Sequence, residues 1–266
     1  MAAETQLETI NLHLDGGELR VELARPDTLN AWNTQLGEDL LAALDRARAD
    51  DVRAVTITGA GRAFSSGADL RAGFNPTPEG HPDVHTPLTE LYHPAISGLR
   101  RLEKPVLAAV NGPAVGIGCS LALACDLVVA RESAYLLLAF INIGLVPDGG
   151  SSLFVPARVG FTRAAQMALL GERVPAPQAA EWGLINRAIP DEEFEAEVAA
   201  LGRRLATGPT RAYAAAKRQL NAWLYERMED QLALEAGLQQ EVAASPDFIE
   251  GVTAFLQKRP PEFKGA

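Results

Sequence analysis

Two apolar strands that each end in a glycine-bearing turn constrain the fold of this chain most. The segment "AVTITG" (54–59) leads into "GRAFSSGADL" (61–70), and "PVLAAV" (105–110) leads into "NGPAVGIGCSLALACD" (111–126). A helical pattern follows each turn. This order leaves free backbone N–H groups at a helix N-terminus, where the helix dipole favours negative charge. Two such turns aimed at one point would form an oxyanion hole for a carbonyl oxygen.

Short apolar strands alternate with helical patterns through the first part of the chain. Residues 7–14 alternate apolar and polar side chains and predict a strand, which a "GG" pair joins to a second strand. Residues 28–50 have helical spacing, with Asn30 or Asn33 as the predicted cap. Continuous apolar strands are typical of sheets buried on both faces. The pattern predicts an α/β protein built from repeated strand–strand–helix units.

Two further segments differ from this pattern. Residues 72–94 are rich in Pro, Gly and His and predict a long loop bordering a site. From residue 161 onward the spacing becomes mostly helical. We therefore expect a core with the site over 1–200 and a helical C-terminal segment over 201–266 that makes contacts between subunits.

Charge and composition exclude several classes of partner. With 24 Lys+Arg against 34 Asp+Glu, the net charge of −10 disfavours binding to nucleic acid. The apolar run around 119–130 is too short and too polar to span a membrane. The start "MAAETQLETI" lacks the regions of a signal peptide, and Cys119 and Cys125 suit buried, reduced thiols. A cytoplasmic protein is expected, with neither a membrane nor a nucleic acid as partner.

Most catalytic motifs are missing from the sequence. There is no G-x-S-x-G or GK[ST] motif, and "GPAVGIG" does not fit G-x-G-x-x-G. The histidines of "HPDVH" (81–85) lack a clear third ligand, so no metal site is expected. The turn "GLVPDGGSS" (144–152) carries one carboxylate, Asp148. That side chain either caps the following helix or transfers a proton.

The chain resembles the crotonase (enoyl-CoA hydratase/isomerase) superfamily over nearly its whole length. The matching segments are "ARPDTLNAW" (24–32), "GRAFSSGADL" (61–70), "KPVLAAVNGPAVGIGCSLALACDLVVA" (104–130), "IGLVPDGGSSLFVPARVG" (143–160), "ALLGERVPAPQAAEWGLINRAIP" (168–190) and "PPEFKGA" (260–266). The resemblance implies a spiral core of ββα repeats, a helical C-terminal segment, and homotrimers or dimers of trimers. It also implies an acyl-coenzyme A thioester as substrate, with no separate cofactor.

The resemblance assigns roles to particular positions. The backbone N–H groups of Ala68 and Ile117 would form the oxyanion hole, although family members usually have glycine where Ile117 stands. The positions implied to contact coenzyme A are Ala24, Arg25, Ser66, Ala68, Asp69 and Leu70, with Phe263 and Lys264 reaching a neighbouring subunit's ligand. The predicted acyl pocket contains Tyr92, His93, Leu138 and Phe140.

The positions of acidic residues distinguish between the possible reactions of this superfamily. Typical hydratases of this family use two glutamates to activate water, and here those positions hold Ser120 and Phe140. The motif "IGLVPDGG" resembles the phenylacetate-pathway isomerase branch and the Δ3,Δ2-enoyl-CoA isomerases, whose acid lies at this turn. Double-bond isomerisation with Asp148 as proton shuttle is therefore the favoured hypothesis. The alternatives are a weak hydratase, an aryl-CoA epoxide isomerase, an aroyl-CoA dehalogenase-like enzyme with Asp148 as nucleophile and His93 as base, and a non-catalytic acyl-CoA binder.

Overall fold

A computed structural model describes residues 3–265 as a layered α/β fold. The strands are β1 (Ala3–Gln6), β2 (Ile10–Asp15), β3 (Glu18–Leu23), β4 (Ala54–Gly59), β5 (Val106–Val110), β6 (Ala114–Val115), β7 (Leu127–Arg131), β8 (Tyr135–Leu137), β9 (Val174–Pro175) and β10 (Arg187–Ile189). Seven of them form one sheet in the order β1-β2-β3-β4-β5-β7-β10, and β6-β8-β9 form a second. From β3 onward the pairs of the large sheet are parallel.

Helices connect these strands and form the C-terminal part. They are α1 (Thr34–Ala47), α2 (His85–Pro87), α3 (His93–Arg101), α4 (Ile117–Ala124), α5 (Ser151–Leu170), α6 (Ala176–Glu181), α7 (Phe194–Thr207), α8 (Thr210–Leu224), α9 (Met228–Ala243) and α10 (Pro246–Gln257). Short 3₁₀ turns lie at Pro26–Thr28 and Phe140–Ile143, and a π-helical turn over Leu88–Tyr92 joins α2 to α3. The predicted α/β class with a helical C-terminal segment is confirmed.

The large sheet is buried on both faces, which explains its continuous apolar strands. Every residue of β4 and β5 is buried. On one face the strand residues pack with α1, α3 and α4 in the main core. On the other, Leu107, Val129 and Ile189 pack with Phe194 and Val198 of α7. The strand ends therefore have fixed positions, and so do the turns that follow them.

Of the two caps predicted for the first helix, Asn33 is confirmed. Helix α1 begins at Thr34, and the Asn33 side chain accepts the Leu36 N–H at 2.9 Å. Asn30 instead has a φ of 55° and its amide donates to the Ala60 and Ala63 carbonyls. The C-terminal helical region already begins at Ser151.

The predicted loop 72–94 is likewise too long, because helical structure begins at His85. Asp83 Oδ1 accepts the Thr86 N–H at 2.9 Å and so caps this first turn. Gln240 Oε1 accepts the N–H groups of Val84 and His85. These contacts start a helical stretch. It tolerates Pro87 and Pro94 because each lies in the first turn of a helical segment.

Asp126 anchors the start of strand β5. Its carboxylate lies 3.0 Å from Arg100 Nη1 and 2.9 Å from Lys217 Nζ, and it accepts the Val106 N–H at 2.8 Å. Both cations are buried. The network therefore ties α3 and α8 to the beginning of β5.

Breaking this network should destabilise the fold. Asp126→Ala leaves two buried cations without their carboxylate, and we expect the free energy of unfolding to fall by roughly 3 kcal/mol. Urea denaturation followed by circular dichroism measures it. Asp51→Ala is the matched control, since its ion pair with Arg46 is exposed and should contribute far less. Equal losses in the two variants would contradict a role for the buried network.

Residues 3–265 contain neither a membrane-spanning helix nor a cluster of metal-binding side chains. None of the helices there has the length and apolar character that crossing a membrane requires. No group of three or more His, Cys, Asp or Glu side chains is placed to hold a metal ion in that range. Cys119 and Cys125 are buried free thiols, as expected, and burial raises the pKa of both.

Candidate active site

The two glycine-bearing turns meet in the structure. The Val115 N–H donates to the Ser65 carbonyl at 2.9 Å, and the Ser65 N–H donates to the Pro113 carbonyl at 3.0 Å. A Cβ at Gly118 would lie 2.5 Å from the Ser65 Cβ, so only glycine allows this approach. The end of the first turn and the start of α4 are therefore locked side by side.

Each predicted oxyanion donor lies at a position that leaves its N–H unused by the backbone. Ala68 forms a parallel bridge with Trp32, in which the Trp32 N–H donates to Gly67 and the Asp69 N–H donates to Trp32. That pattern directs the Ala68 N–H away from the bridge. Ile117 is the first residue of α4, so its N–H has no intrahelical acceptor. Both donors are thus available, as an oxyanion hole requires.

The turn that carries Asp148 packs against the beginning of α4. Ser120 Oγ and Ser151 Oγ each donate to the Asp148 main-chain carbonyl at 2.8 Å. Gly149 has a φ of 62°, and a Cβ there would lie 2.4 Å from Ile117 Cδ1. The Ile117 side chain therefore faces the Asp148 turn. This explains how a bulky residue fits at a position whose role depends on the backbone.

The Asp148 side chain does not cap α5, so that interpretation is wrong. The N-cap of α5 is Gly150, and the Ser151 N–H bonds to the Asp148 main-chain carbonyl rather than to its carboxylate. Asp148 Oδ2 accepts Gln239 Nε2–H at 2.8 Å, whereas Oδ1 has no hydrogen-bond partner among the described residues. The residue is 7% exposed. One buried carboxylate oxygen is thus left for another molecule.

Burial dominates the electrostatics of this region. It raises the pKa of Asp148 well above its usual range, the Glu235 charge raises it further, and the Gln239 hydrogen bond lowers it. Burial also raises the pKa of Glu235 to about 7. His93 has its pKa lowered to about 4, by burial and then by His85, so its imidazole is neutral at neutral pH. Such shifted groups are typical of sites that transfer protons.

Two of the predicted acyl-pocket residues, Phe140 and Tyr92, lie next to the glycine-bearing turns or to residues bonded to them. The Phe140 ring lies 3.9 Å from the place where a Gly116 Cβ would stand, and Leu138 is buried. The Tyr92 ring packs edge-on against Trp32, with centroids 4.9 Å apart. Burial raises the Tyr92 pKa, and the Asp148 and Asp69 charges add to it. An aromatic ring thus lies beside Gly116, which precedes Ile117, and another packs against Trp32, which forms the bridge with Ala68.

Several residues predicted to contact coenzyme A make hydrogen bonds within the protein. Arg25 forms an ion pair with Asp69 at 3.0 Å and also donates to the Ala31 carbonyl. The N–H groups of Ala24, Ser66, Asp69 and Leu70 donate to Thr9, Leu29, Trp32 and Ala68 respectively. All four therefore offer a ligand only their carbonyl or side-chain groups. Their contacts with coenzyme A stay predictions.

The two C-terminal residues predicted to reach a ligand lie beside α10. Phe263 is 43% exposed, and the Lys264 N–H donates to Asp247 Oδ1 at 2.7 Å. Neither residue has a described contact with the Asp148 turn. Their predicted role depends on a neighbouring subunit, and it also stays a prediction.

A separate basic cleft of about 840 Å³ does not include any of the predicted site residues. Its lining includes Arg48, Arg53, Arg101, Lys104 and Arg211. Arg53 immediately precedes β4, whereas the first turn follows the opposite end of that strand. The cleft therefore lies at the other edge of the sheet from the two glycine-bearing turns.

Two residues of this region were missed from the sequence, Glu235 and Gln239 on α9. Both are buried, and they lie 85 and 91 residues from the groups they bind. With Gln231 they repeat every fourth residue, which places them on one helix face. That spacing is a weak signal, because polar residues on a helix usually face solvent.

Comparison with known proteins identifies the family of the chain. The family model "Enoyl-CoA hydratase/isomerase" matches residues 15–266. The chain therefore belongs to that family, and it is an acyl-CoA-processing enzyme of the hydratase/isomerase type with a crotonase fold.

Individual relatives are similar over almost their full lengths. A "Probable enoyl-CoA hydratase" of Rhodobacter capsulatus is 46% identical over 97% of this chain and 98% of its own. The "1,2-epoxyphenylacetyl-CoA isomerase" of Escherichia coli is 39% identical over 97% and 99%. A crystal structure of an enoyl-CoA hydratase from Mycobacterium avium subsp. paratuberculosis has a TM-score of 0.88 and 40% identity, covering 97% of this chain and 100% of that one.

Proposed function

We propose that this enzyme shifts the double bond of an enoyl-CoA and that Asp148 carries the proton. The observation that supports this most is the free Oδ1 of a buried carboxylate, on a turn packed against Ile117. Acid–base chemistry at this position needs neither metal nor separate cofactor. The substrate is a coenzyme A thioester, as the family indicates.

The reaction follows from the two glycine-bearing turns and the turn that carries Asp148. The thioester oxygen of a 3-enoyl-CoA accepts the N–H groups of Ala68 and Ile117. Asp148 then removes a proton from C2, the electron pair spreads over the thioester and the C3–C4 double bond, and the two N–H groups stabilise the charge on oxygen. Asp148 returns the proton to C4, which leaves the double bond between C2 and C3. No water is consumed.

Hydration is disfavoured because a second free carboxylate is not in place. Ser120 and Phe140 stand where hydratases hold their glutamates, and Ser120 is engaged with the Asp148 turn. Glu235 is a nearby carboxylate, but both its oxygens accept hydrogen bonds from residues 150 and 152. A water activated between two carboxylates lacks its second base.

One observation favours a second candidate. His93 is buried and neutral, its Nε2 lies 3.8 Å from Glu235 Oε2, and this nitrogen has no hydrogen-bond partner among the described residues. A neutral imidazole in this region can act as a base. Asp148 would then attack the halogen-bearing ring carbon of an aroyl-CoA, and halide would leave with the electron pair of the broken bond. A water activated by His93 would hydrolyse the resulting aryl ester, which releases the hydroxyaroyl-CoA and returns the Asp148 carboxylate.

We propose further that the chain assembles into trimers or dimers of trimers. Large apolar side chains are exposed along α5 and the C-terminal helices, including Phe161 at 83% and Trp223 at 86%. Exposed apolar groups in this number are typical of surfaces that bind another subunit. Sedimentation velocity measures the assembly, and a monomer at micromolar concentration would contradict it.

Two substrates test the proposed reaction. With a 3-enoyl-CoA, purified enzyme should form the conjugated 2-enoyl-CoA, whose absorbance is followed directly. With a 2-enoyl-CoA, formation of 3-hydroxyacyl-CoA should be slower by a factor of about 100 or more, since one general base is missing. Fast hydration without migration would contradict the proposal, and turnover of only an aryl-CoA would favour the second candidate. Tight binding without turnover would indicate a binding protein.

A further inference from the structure

One face of α9 forms hydrogen bonds with the turn that carries Asp148. Gln231, Glu235 and Gln239 lie four residues apart, so their side chains lie along one side of the helix. All three reach residues 146–152, and Glu235 and Gln239 are 2% and 1% exposed. A helix far along the chain thus supplies the polar surroundings of the proposed proton carrier.

Glu235 holds the N-terminus of α5. Its Oε2 accepts the Gly150 N–H at 2.8 Å, its Oε1 accepts the Ser152 N–H at 3.1 Å, and Ser152 Oγ–H donates to the same oxygen. These donors, together with the helix dipole, stabilise a negative charge on Glu235. Gly150 lies two residues after Asp148, and the Glu235 charge raises the pKa of the Asp148 carboxyl.

Gln239 acts on the Asp148 side chain itself. Its Nε2 donates to Asp148 Oδ2 at 2.8 Å and to the Val146 carbonyl at 2.6 Å. Val146 and Asp148 flank Pro147, so one amide group spans the turn. The hydrogen bond also fixes which carboxylate oxygen is occupied, and it leaves Oδ1 as the oxygen available to substrate.

We infer that Glu235 and Gln239 are positioning residues that act on Asp148 in opposite directions, Gln239 favouring its charged form and Glu235 opposing it. The inference rests on the proposed role of Asp148 as proton carrier. A buried carboxylate held between a donor and a second negative charge stays basic enough to take a proton from carbon. Neither α9 residue touches the reacting atoms.

The other ionisable groups near this pair are few. From α3, His93 approaches Glu235 at 3.8 Å, and His85 lies near His93. Tyr92, in the π-helical turn, stays protonated because burial and the Asp148 charge raise its pKa. His93 is neutral above about pH 4. Between pH 5 and 9 the charge in this region therefore depends chiefly on Asp148 and Glu235.

Two variants should move the pH profile of kcat/KM in opposite directions. The carboxylate of Asp148 is the base, so the rate rises with pH as Asp148 ionises. Glu235→Gln keeps an acceptor for Gly150 and Ser152 but removes the charge, and should lower the midpoint of this rise by roughly one pH unit. Gln239→Met keeps the side-chain length but removes the donor, and should raise the midpoint by a similar amount. Gln240→Met, a neighbour that binds Pro82 and Val84, is the matched control and should leave the midpoint in place.

A substrate-free measurement separates this inference from the proposed function. An acid whose pKa is raised by folding stabilises the fold below its unfolded pKa and loses that stabilisation as pH rises through the folded value. The difference in Tm between the enzyme and its Asp148→Asn variant should therefore fall with pH and level off once Asp148 has ionised. The same Tm difference is then measured in the Glu235→Gln and Gln239→Met backgrounds. If it levels off at lower pH in the first and at higher pH in the second, the inference is supported even if isomerisation is not detected.

The inference would be overturned if the pH midpoint moved in neither variant or moved in the same direction in both, whatever the loss of activity. If Glu235→Gln does not fold, Gln239→Met alone decides by the sign of its shift. Loss of isomerisation in the unmodified enzyme would instead count against the proposed function.

Discussion

Replacing Asp148 by Asn should lower kcat for double-bond migration by roughly 10³-fold, within the range that removal of a general acid–base costs. Asparagine keeps the shape and accepts the Gln239 N–H, but it cannot take a proton. Affinity for a saturated acyl-CoA should change little, because the Ala68 and Ile117 donors are untouched. Stopped-flow absorbance gives kcat, and isothermal titration gives the affinity.

Asp191→Asn is the matched control for this substitution. Asp191 is exposed and bonds Ser133 on the surface, so its replacement should leave turnover unchanged. If Asp148→Asn turned over at the unmodified rate, Asp148 would be removed from the mechanism. A parallel loss of acyl-CoA affinity would point to a role in binding rather than in proton transfer.

Ile117→Pro should lower kcat by roughly 10²- to 10³-fold, since it deletes one oxyanion-hole N–H. Proline is tolerated at the first position of a helix, where its missing N–H has no intrahelical acceptor. Ile117 occupies that position in α4, and its predicted role is carried by the backbone alone. The loss should therefore appear in kcat while the fold is kept.

Ile117→Ala separates the backbone effect from the side-chain effect. Alanine removes the contact with the Gly149 turn, as proline does, but keeps the N–H. We expect Ile117→Ala to retain most activity and Ile117→Pro to lose it, with similar circular dichroism spectra. Equal activities would contradict an oxyanion donor at residue 117.

The turns could be predicted from the sequence because their signals are local. "PVLAAV" is apolar throughout, "AVTITG" is apolar apart from two threonines, and each ends at a polar or glycine residue, so strand, turn and helix follow in order. Ile117 and Ala68 depend only on where those turns end. Asp148 stood out because no other acid lies in its turn.

The surroundings of Asp148 could not be predicted in the same way. Gln239 is 91 residues away in sequence, and its burial follows from how α9 packs against α5 and the 146–152 turn. The helical spacing of Gln231, Glu235 and Gln239 is the same whether that face meets solvent or protein. The early start of helical structure at His85 also depends on Gln240, a long-range partner. Local patterns carry no information on such pairings.

Transfer of the same proton from C2 to C4 is the central claim, and isotope tracing tests it most directly. A 3-enoyl-CoA carrying two deuterium atoms at C2 is isomerised in ordinary water, and the product is examined by ²H NMR and mass spectrometry. Because Asp148 is only 7% exposed, we expect a measurable share of product molecules to carry deuterium at C4. Complete conversion with hydrogen from solvent alone at C4 would contradict a single shielded carboxylate as the proton carrier.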